Sequence, residues 1–173
     1  MKRIALAAGV LLIFSAVGHS QASAQTADLE LLNSQGETVG RASLTEQPAG
    51  VRISLQAWQL SPGPHGFHIH AIGKCDPPSF MSAGGHFNPD GKKHGLKNPA
   101  GPHAGDLPNL VAGPDGAATA EVIVFQVTLG PGKNSLFGRE GSALVIHASP
   151  DDEQTDPTGN AGARIACGVI SAK

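Results

Sequence analysis

Six histidines and one aspartate constrain this chain more than any hydrophobic pattern in it. His68 and His70 stand two apart, and His86, His94, His103, Asp106 and His147 follow. Of the eight histidines, only His19 and His65 fall outside the set. Imidazoles and a carboxylate are metal-ligand types. A fold that uses them together must bring widely separated segments to one place. Scattered structural histidines are the plain alternative, but they would not crowd five members of the set between His68 and His103, in a glycine-rich stretch.

The start of the chain reads as a leader. Lys2 and Arg3 precede a nearly unbroken apolar run, Ile4 to Val17, and Ala22-Ser23-Ala24 has the small-x-small form of a signal-peptidase site. Residues 1–24 read as a secretory signal peptide, too short and wrongly flanked for a stable membrane span. No cysteine follows the apolar run, which argues against a membrane anchor after cleavage. Residues 25–173 then form one mature domain of 149 residues. Without Lys2 and Arg3, 10 basic residues face 14 acidic ones, a formal −4. With no basic cluster, that balance argues against nucleic acid.

The mature chain reads as short strands and long loops. Val51, Ile53, Leu55 and Ala57 alternate with Arg52, Ser54, Gln56 and Trp58, the period of a strand with one buried face. Glu121 to Val127 reads the same way. Ser142 to His147 and Arg164 to Ile170 are short apolar runs with β-branched residues, and Leu29 to Leu32 and Val39 to Leu44 are candidate partners. Turn chemistry separates them at Ser34-Gln35-Gly36, Pro48-Ala49-Gly50 and Pro114-Asp115-Gly116. No long 3.6-residue period appears. The class is all-β, an antiparallel sandwich or flattened barrel.

Ala71 to Gly113 breaks this pattern. A loop of such length in a compact domain is functional or disordered, and the histidines favour function. Metal and a disulfide could supply its order. Cys75 and Cys167 are the two cysteines of an exported chain, which suggests a bridge. Two free buried thiols and thiolate ligation are the other readings.

His68 and His70 end a predicted strand, Gly66 to His70, so both imidazoles leave one face. A His-x-His pair alone is a weak signal. The spacings of 8, 9 and 3 from His86 to Asp106 match no zinc finger. Imidazole suits copper and zinc, and a carboxylate suits zinc. Seven ligands are one short of two four-coordinate ions, so one would be shared. An imidazole has two ring nitrogens and can bridge.

The chain resembles the copper/zinc superoxide dismutases of the bacterial secreted type. The matching segments are Gly66-Phe67-His68-Ile69-His70, Gly85-His86-Phe87-Asn88-Pro89, Lys93-His94-Gly95, His103-Ala104-Gly105-Asp106-Leu107, Val145-Ile146-His147 and Gly159 to Ile170. The resemblance implies a Greek-key, immunoglobulin-like sandwich or flattened barrel with long metal-binding and electrostatic loops. It implies one copper per subunit on His68, His70, His86 and His147. One zinc per subunit would sit on His86, His94, His103 and Asp106, with His86 as bridge. Cys75 and Cys167 match the family's disulfide, Arg164 its anion-orienting arginine, and Asp151 a carboxylate linking a copper-ligand His to a zinc-ligand His. His65 matches a structural histidine.

The implied reaction is dismutation of the superoxide anion to oxygen and hydrogen peroxide. His86 and Arg164 are the implied catalytic residues and the periplasm the implied location. Homodimer and monomer both stay open. The segment Pro150 to Thr158 departs from the family's best-known eukaryotic pattern: it is acidic and lacks channel lysines, for which Lys92, Lys93 and Lys97 are candidate replacements. The alternative is an exported copper/zinc-binding protein of metal-buffering or metallochaperone type on the same fold.

Overall fold

The computed structural model describes residues 25–172; the predicted signal peptide, residues 1–24, lies outside the described residues. Nine strands run in chain order: β1 Thr26–Asn33, β2 Thr38–Gln47, β3 Gly50–Ala57, β4 Gly63–His65, β5 Phe67–His70, β6 Leu110–Ala112, β7 Ala118–Val124, β8 Ser142–His147 and β9 Arg164–Ile170. The helical content among the described residues is one 3₁₀ turn, Met81–Ala83.

Seven strands form one antiparallel sheet in the order β5-β8-β9-β1-β2-β3-β7. First and last strands are neighbours, and β3 skips to β7, a Greek-key arrangement. The sheet curls, and a two-stranded sheet, β4-β6, links its ends: β4 runs into β5 across Gly66, and β6 turns into β7. Alternation sets the inner face. Ala27, Leu29 and Leu31 of β1, Ala42 and Leu44 of β2, and Val51, Ile53 and Leu55 of β3 are buried, while their neighbours in sequence are mostly exposed or half-buried. The register pairs Ala27 with Leu44 and Leu44 with Ile53, so these side chains share one core with Phe67, Ile69, Leu107, Leu136, Leu144 and Ile146.

One difference from the sequence reading has a physical cause. The strand expected at 121–127 lies at 118–124. Its partner β3 begins at Gly50, pairs Val51 with Val124 and offers nothing beyond, so Phe125 is left 71% exposed. Strands β5 and β8 are buried along their whole length. The 71–109 loop covers their outer side. Part of that cover is a small second core of Phe80, Ala83, Ala143, Val145 and Cys167, pinned by the disulfide Cys75–Cys167.

Candidate metal centre

The long loop returns to β5 twice. His70 bridges to His86 and His68 to Asp106 in antiparallel fashion. Phe87 N–H donates to Ile69 O at 2.8 Å, Ile69 N–H to Gly105 O at 2.9 Å, and Gly105 N–H to Phe87 O at 2.9 Å. Gly105 permits this approach, because a Cβ there would lie 2.3 Å from Ile69 O. On the other side β8 pairs with β5, Phe67 opposite Ile146, which sets His147 beside the same face.

All seven predicted ligands are brought together and buried. The candidate ligand atoms of His68, His70, His86 and His147 lie within 4.8 Å of one another, as do those of His86, His94, His103 and Asp106. His86 is common to both groups. His65 takes no place in either: its Nδ1 lies 2.7 Å from His147 O and its Nε2 2.8 Å from Ser61 O.

The outer hydrogen bonds decide which ring nitrogens face inward. His70 Nδ1 donates to Gly84 O at 2.9 Å and His147 Nδ1 to Gly162 O at 3.2 Å, which leaves the two Nε2 lone pairs 3.4 Å apart. His68 Nε2 donates to Asp151 Oδ2 at 2.6 Å, and His68 Nδ1 is buried without a partner. His86 Nδ1 lies 2.8 Å from Asp106 Oδ1, and His86 Nε2 is likewise buried and unpartnered. A neutral imidazole has one donor and one acceptor. Four acceptors therefore converge with no donor among them. An unsatisfied buried acceptor costs about 1–3 kcal/mol, and a cation at this point would satisfy all four.

The second group has the same character. His94 Nε2 donates to Asp151 Oδ1 at 3.0 Å, which turns its Nδ1 lone pair toward Asp106 Oδ1, also at 3.0 Å. His103 Nδ1 lies 3.3 Å from that oxygen and 3.4 Å from His86 Nδ1. Three imidazoles crowd one carboxylate oxygen. The donor sets fit the chemistry of two cations: four nitrogens on one side, three nitrogens and an oxygen on the other.

Electrostatics agree with this chemistry. Burial pushes His70 down to about 2 and His147 to about 3. It pushes His86 to about 4 against the opposing pull of Asp106. Burial alone would raise Asp106, but hydrogen bonds with His103, His86 and the Gly95 N–H hold it well below the usual carboxylate range. Asp151 is held at about 2 by its bonds to His68 and His94 and the Glu153 N–H, again against burial. The three imidazoles stay neutral when folded and take up protons on unfolding below pH of about 6.5. The unfolded chain binds more protons there, so stability rises with pH from about 4 to about 6.5 and falls on acidification. The denaturation midpoint of the metal-free protein should drop steadily between pH 7 and pH 4.5. A flat profile over that window would contradict neutral burial of these rings.

Arg164, the first residue of β9, donates from Nη1 to Phe80 O at 2.7 Å and from Nη2 to Gly84 O at 2.6 Å. Partial burial lowers its pKa. With His147, Thr158 and Gly162 it lines an open recess of about 350 Å³. A larger recess of about 450 Å³ lies on the outer face of β1–β3, over Glu30, Arg41 and Ser54, away from both ligand groups.

In the acidic segment Asp151–Asp156, the resemblance implied a role for Asp151 alone, and the contacts of Glu153 and Asp156 were not foreseen. Asp151 reaches His68 and His94. Glu153 pairs with Lys97 at 2.7 Å. Asp156 pairs with Lys93 at 2.9 Å, accepts the His94 N–H at 2.8 Å and lies 3.9 Å from His103 Nε2. Asp152 caps its own turn. These acids clasp the histidine loop, and two of the three lysines considered for steering are occupied by them. Asn109 and Gly159, both beside Asp151, were also missed. Neither residue type carries a sequence signal for such a position.

Comparison with known proteins matches residues 38–170 to the family model described as copper/zinc superoxide dismutase. "Superoxide dismutase [Cu-Zn] 2" of Aquifex aeolicus is 53% identical over 98% of this chain and 99% of its own. The crystal structure of a SOD-like protein from Bacillus subtilis superposes with a TM-score of 0.80 at 42% identity, over 83% of this chain and 97% of that one. The Cu/Zn superoxide dismutase from Brucella abortus gives 0.71 at 29% identity, over 85% and 100%.

Proposed function

The chain belongs to the copper/zinc superoxide dismutase family, and from that premise we propose that it converts two superoxide ions and two protons to oxygen and hydrogen peroxide. Copper would be held by His68, His70, His86 and His147, and zinc by His86, His94, His103 and Asp106. The observation that carries this assignment is the convergence of four inward lone pairs, two of them on buried atoms without partners. Bound copper supplies a one-electron couple between successive superoxide ions, whereas zinc, being d¹⁰, supplies none.

The chain's own residues supply the rest. Arg164 has two of its N–H donors held by main-chain carbonyls. The others are available to a small anion in the recess it shares with His147. His86 Nε2, an acceptor in the resting chain, would take up a proton when it is off the metal and pass it to the departing peroxide. Asp151 fixes the tautomers of His68 and His94 through their Nε2 atoms. Residues 1–24 would direct export to the periplasm. The disulfide Cys75–Cys167 fits an oxidising compartment.

A copper/zinc-binding protein on the same fold is the second reading, since a fold does not dictate chemistry. Arg164 favours the enzyme, because a store has no use for an anion-attracting guanidinium beside its metal. Arg164→Ala should keep both metals and lose roughly 10- to 100-fold in kcat/KM, with a weaker salt dependence. An unchanged rate with full metal content would remove this support.

A further inference from the structure

The Asp151 carboxylate touches both ligand groups, and its placement has a cause of its own. Asn109, just before β6, closes a two-point clasp on the Asp151 main chain. Its Nδ2 donates to Asp151 O at 2.8 Å, and its Oδ1 accepts the Asp151 N–H at 2.8 Å. Two bonds to one residue fix both the position and the rotation of that stretch of backbone. From there the carboxylate reaches His68 Nε2 at 2.6 Å and His94 Nε2 at 3.0 Å, and accepts the Glu153 N–H at 2.6 Å. Gly159 leaves the room: a Cβ there would lie 1.8 Å from Asp151 Oδ1 and 2.6 Å from His94 Nε2.

We infer that Asn109 is a positioning residue for both metal sites, acting through Asp151. By holding the Asp151 main chain it sets the one carboxylate that orients an imidazole in each group. The inference rests on the assignment of copper and zinc to those groups. Asn109 itself is bonded to no imidazole, so its influence must pass through the carboxylate. His68 and His94 share that carboxylate, one oxygen each. A shift of Asp151 therefore cannot spare one site and disturb the other. Outer partners of this kind are associated with about 10- to 100-fold in metal affinity.

The test is chelator competition for zinc and for copper on the full chain. Wild type is compared with Asn109→Ala, Asn109→Asp, Gly159→Ala and Glu46→Ala. Asn109→Asp is nearly isosteric and sets an oxygen against Asp151 O. Gly159→Ala displaces the carboxylate and leaves Asn109 in place. Glu46 binds Thr128 Oγ1 and the Leu129 N–H, so its loss weakens the fold without touching either metal group. The expected result is a loss of roughly 10- to 100-fold in affinity for both metals in the first three variants, and near wild-type affinity in Glu46→Ala. Wild-type affinity in both Asn109 variants, or a loss no larger than in Glu46→Ala, overturns the inference. Wild type that holds neither metal overturns the metal assignment itself, and the inference with it.

Discussion

His147→Ala should yield a folded protein that keeps zinc, loses tight copper binding and has no effective dismutase activity. The backbone of His147 is anchored independently of its ring. Its N–H donates to Gly66 O at 2.8 Å, and its carbonyl faces His65 Nδ1 at 2.7 Å. Alanine preserves both contacts. The ring's own partners are Gly162 O and the space shared with His70 Nε2, and it touches none of His94, His103 or Asp106. One of four converging lone pairs is removed while the second group stays whole. The loss should exceed the roughly 10- to 100-fold attached to outer partners. Metal analysis and an activity assay on one preparation decide it. Retained activity would refute the copper assignment.

Reduction of Cys75–Cys167 should act on stability and on the site together. The bridge joins residues 92 apart in sequence, for which chain entropy gives about 4–5 kcal/mol. In a domain of this size that corresponds to a fall of roughly 10 °C or more in Tm, most visible without metals. The bridge also presses Phe80 and Ala83 onto β8 and β9. The same segment offers Phe80 O and Gly84 O to Arg164, and Gly84 O to His70 Nδ1. Freed of its tether, it should hold Arg164 less firmly, and the rate should fall before zinc is lost. Calorimetry with and without reductant checks the first part. Identical midpoints would contradict a stabilising bridge.

Much of this protein was legible in its sequence because its signals are local. Alternation gave β3, the candidate partners at 29–32 and 39–44 fall inside the longer β1 and β2, and the apolar runs at 142–147 and 164–170 match β8 and β9 in extent. Strands β4 and β6 were invisible. Three residues carry no period, and Pro64 within β4 argues against a central strand. The ligand types stood out because seven of them are hard to place otherwise. Of their outer partners, Asp151 alone was indicated, by the family resemblance. Asn109 bonds to main chain 42 residues away, and main-chain recognition leaves no trace in composition. Asp151 was legible only through the family resemblance; nothing local in the sequence tells a solvated carboxylate from one spent, like Glu153 and Asp156, on Lys97 and Lys93. Gly159 opened a matching segment with no role assigned to it, whereas the structure has it leave space for a carboxylate.

The central claim is that the two ligand groups make a copper-dependent dismutase. The most direct measurement is superoxide decay with the purified protein loaded with copper and zinc, against the same protein stripped of metal. Fast decay that returns with copper, and not with zinc alone, is the predicted result. Stoichiometric uptake of both metals with no acceleration of decay would contradict it.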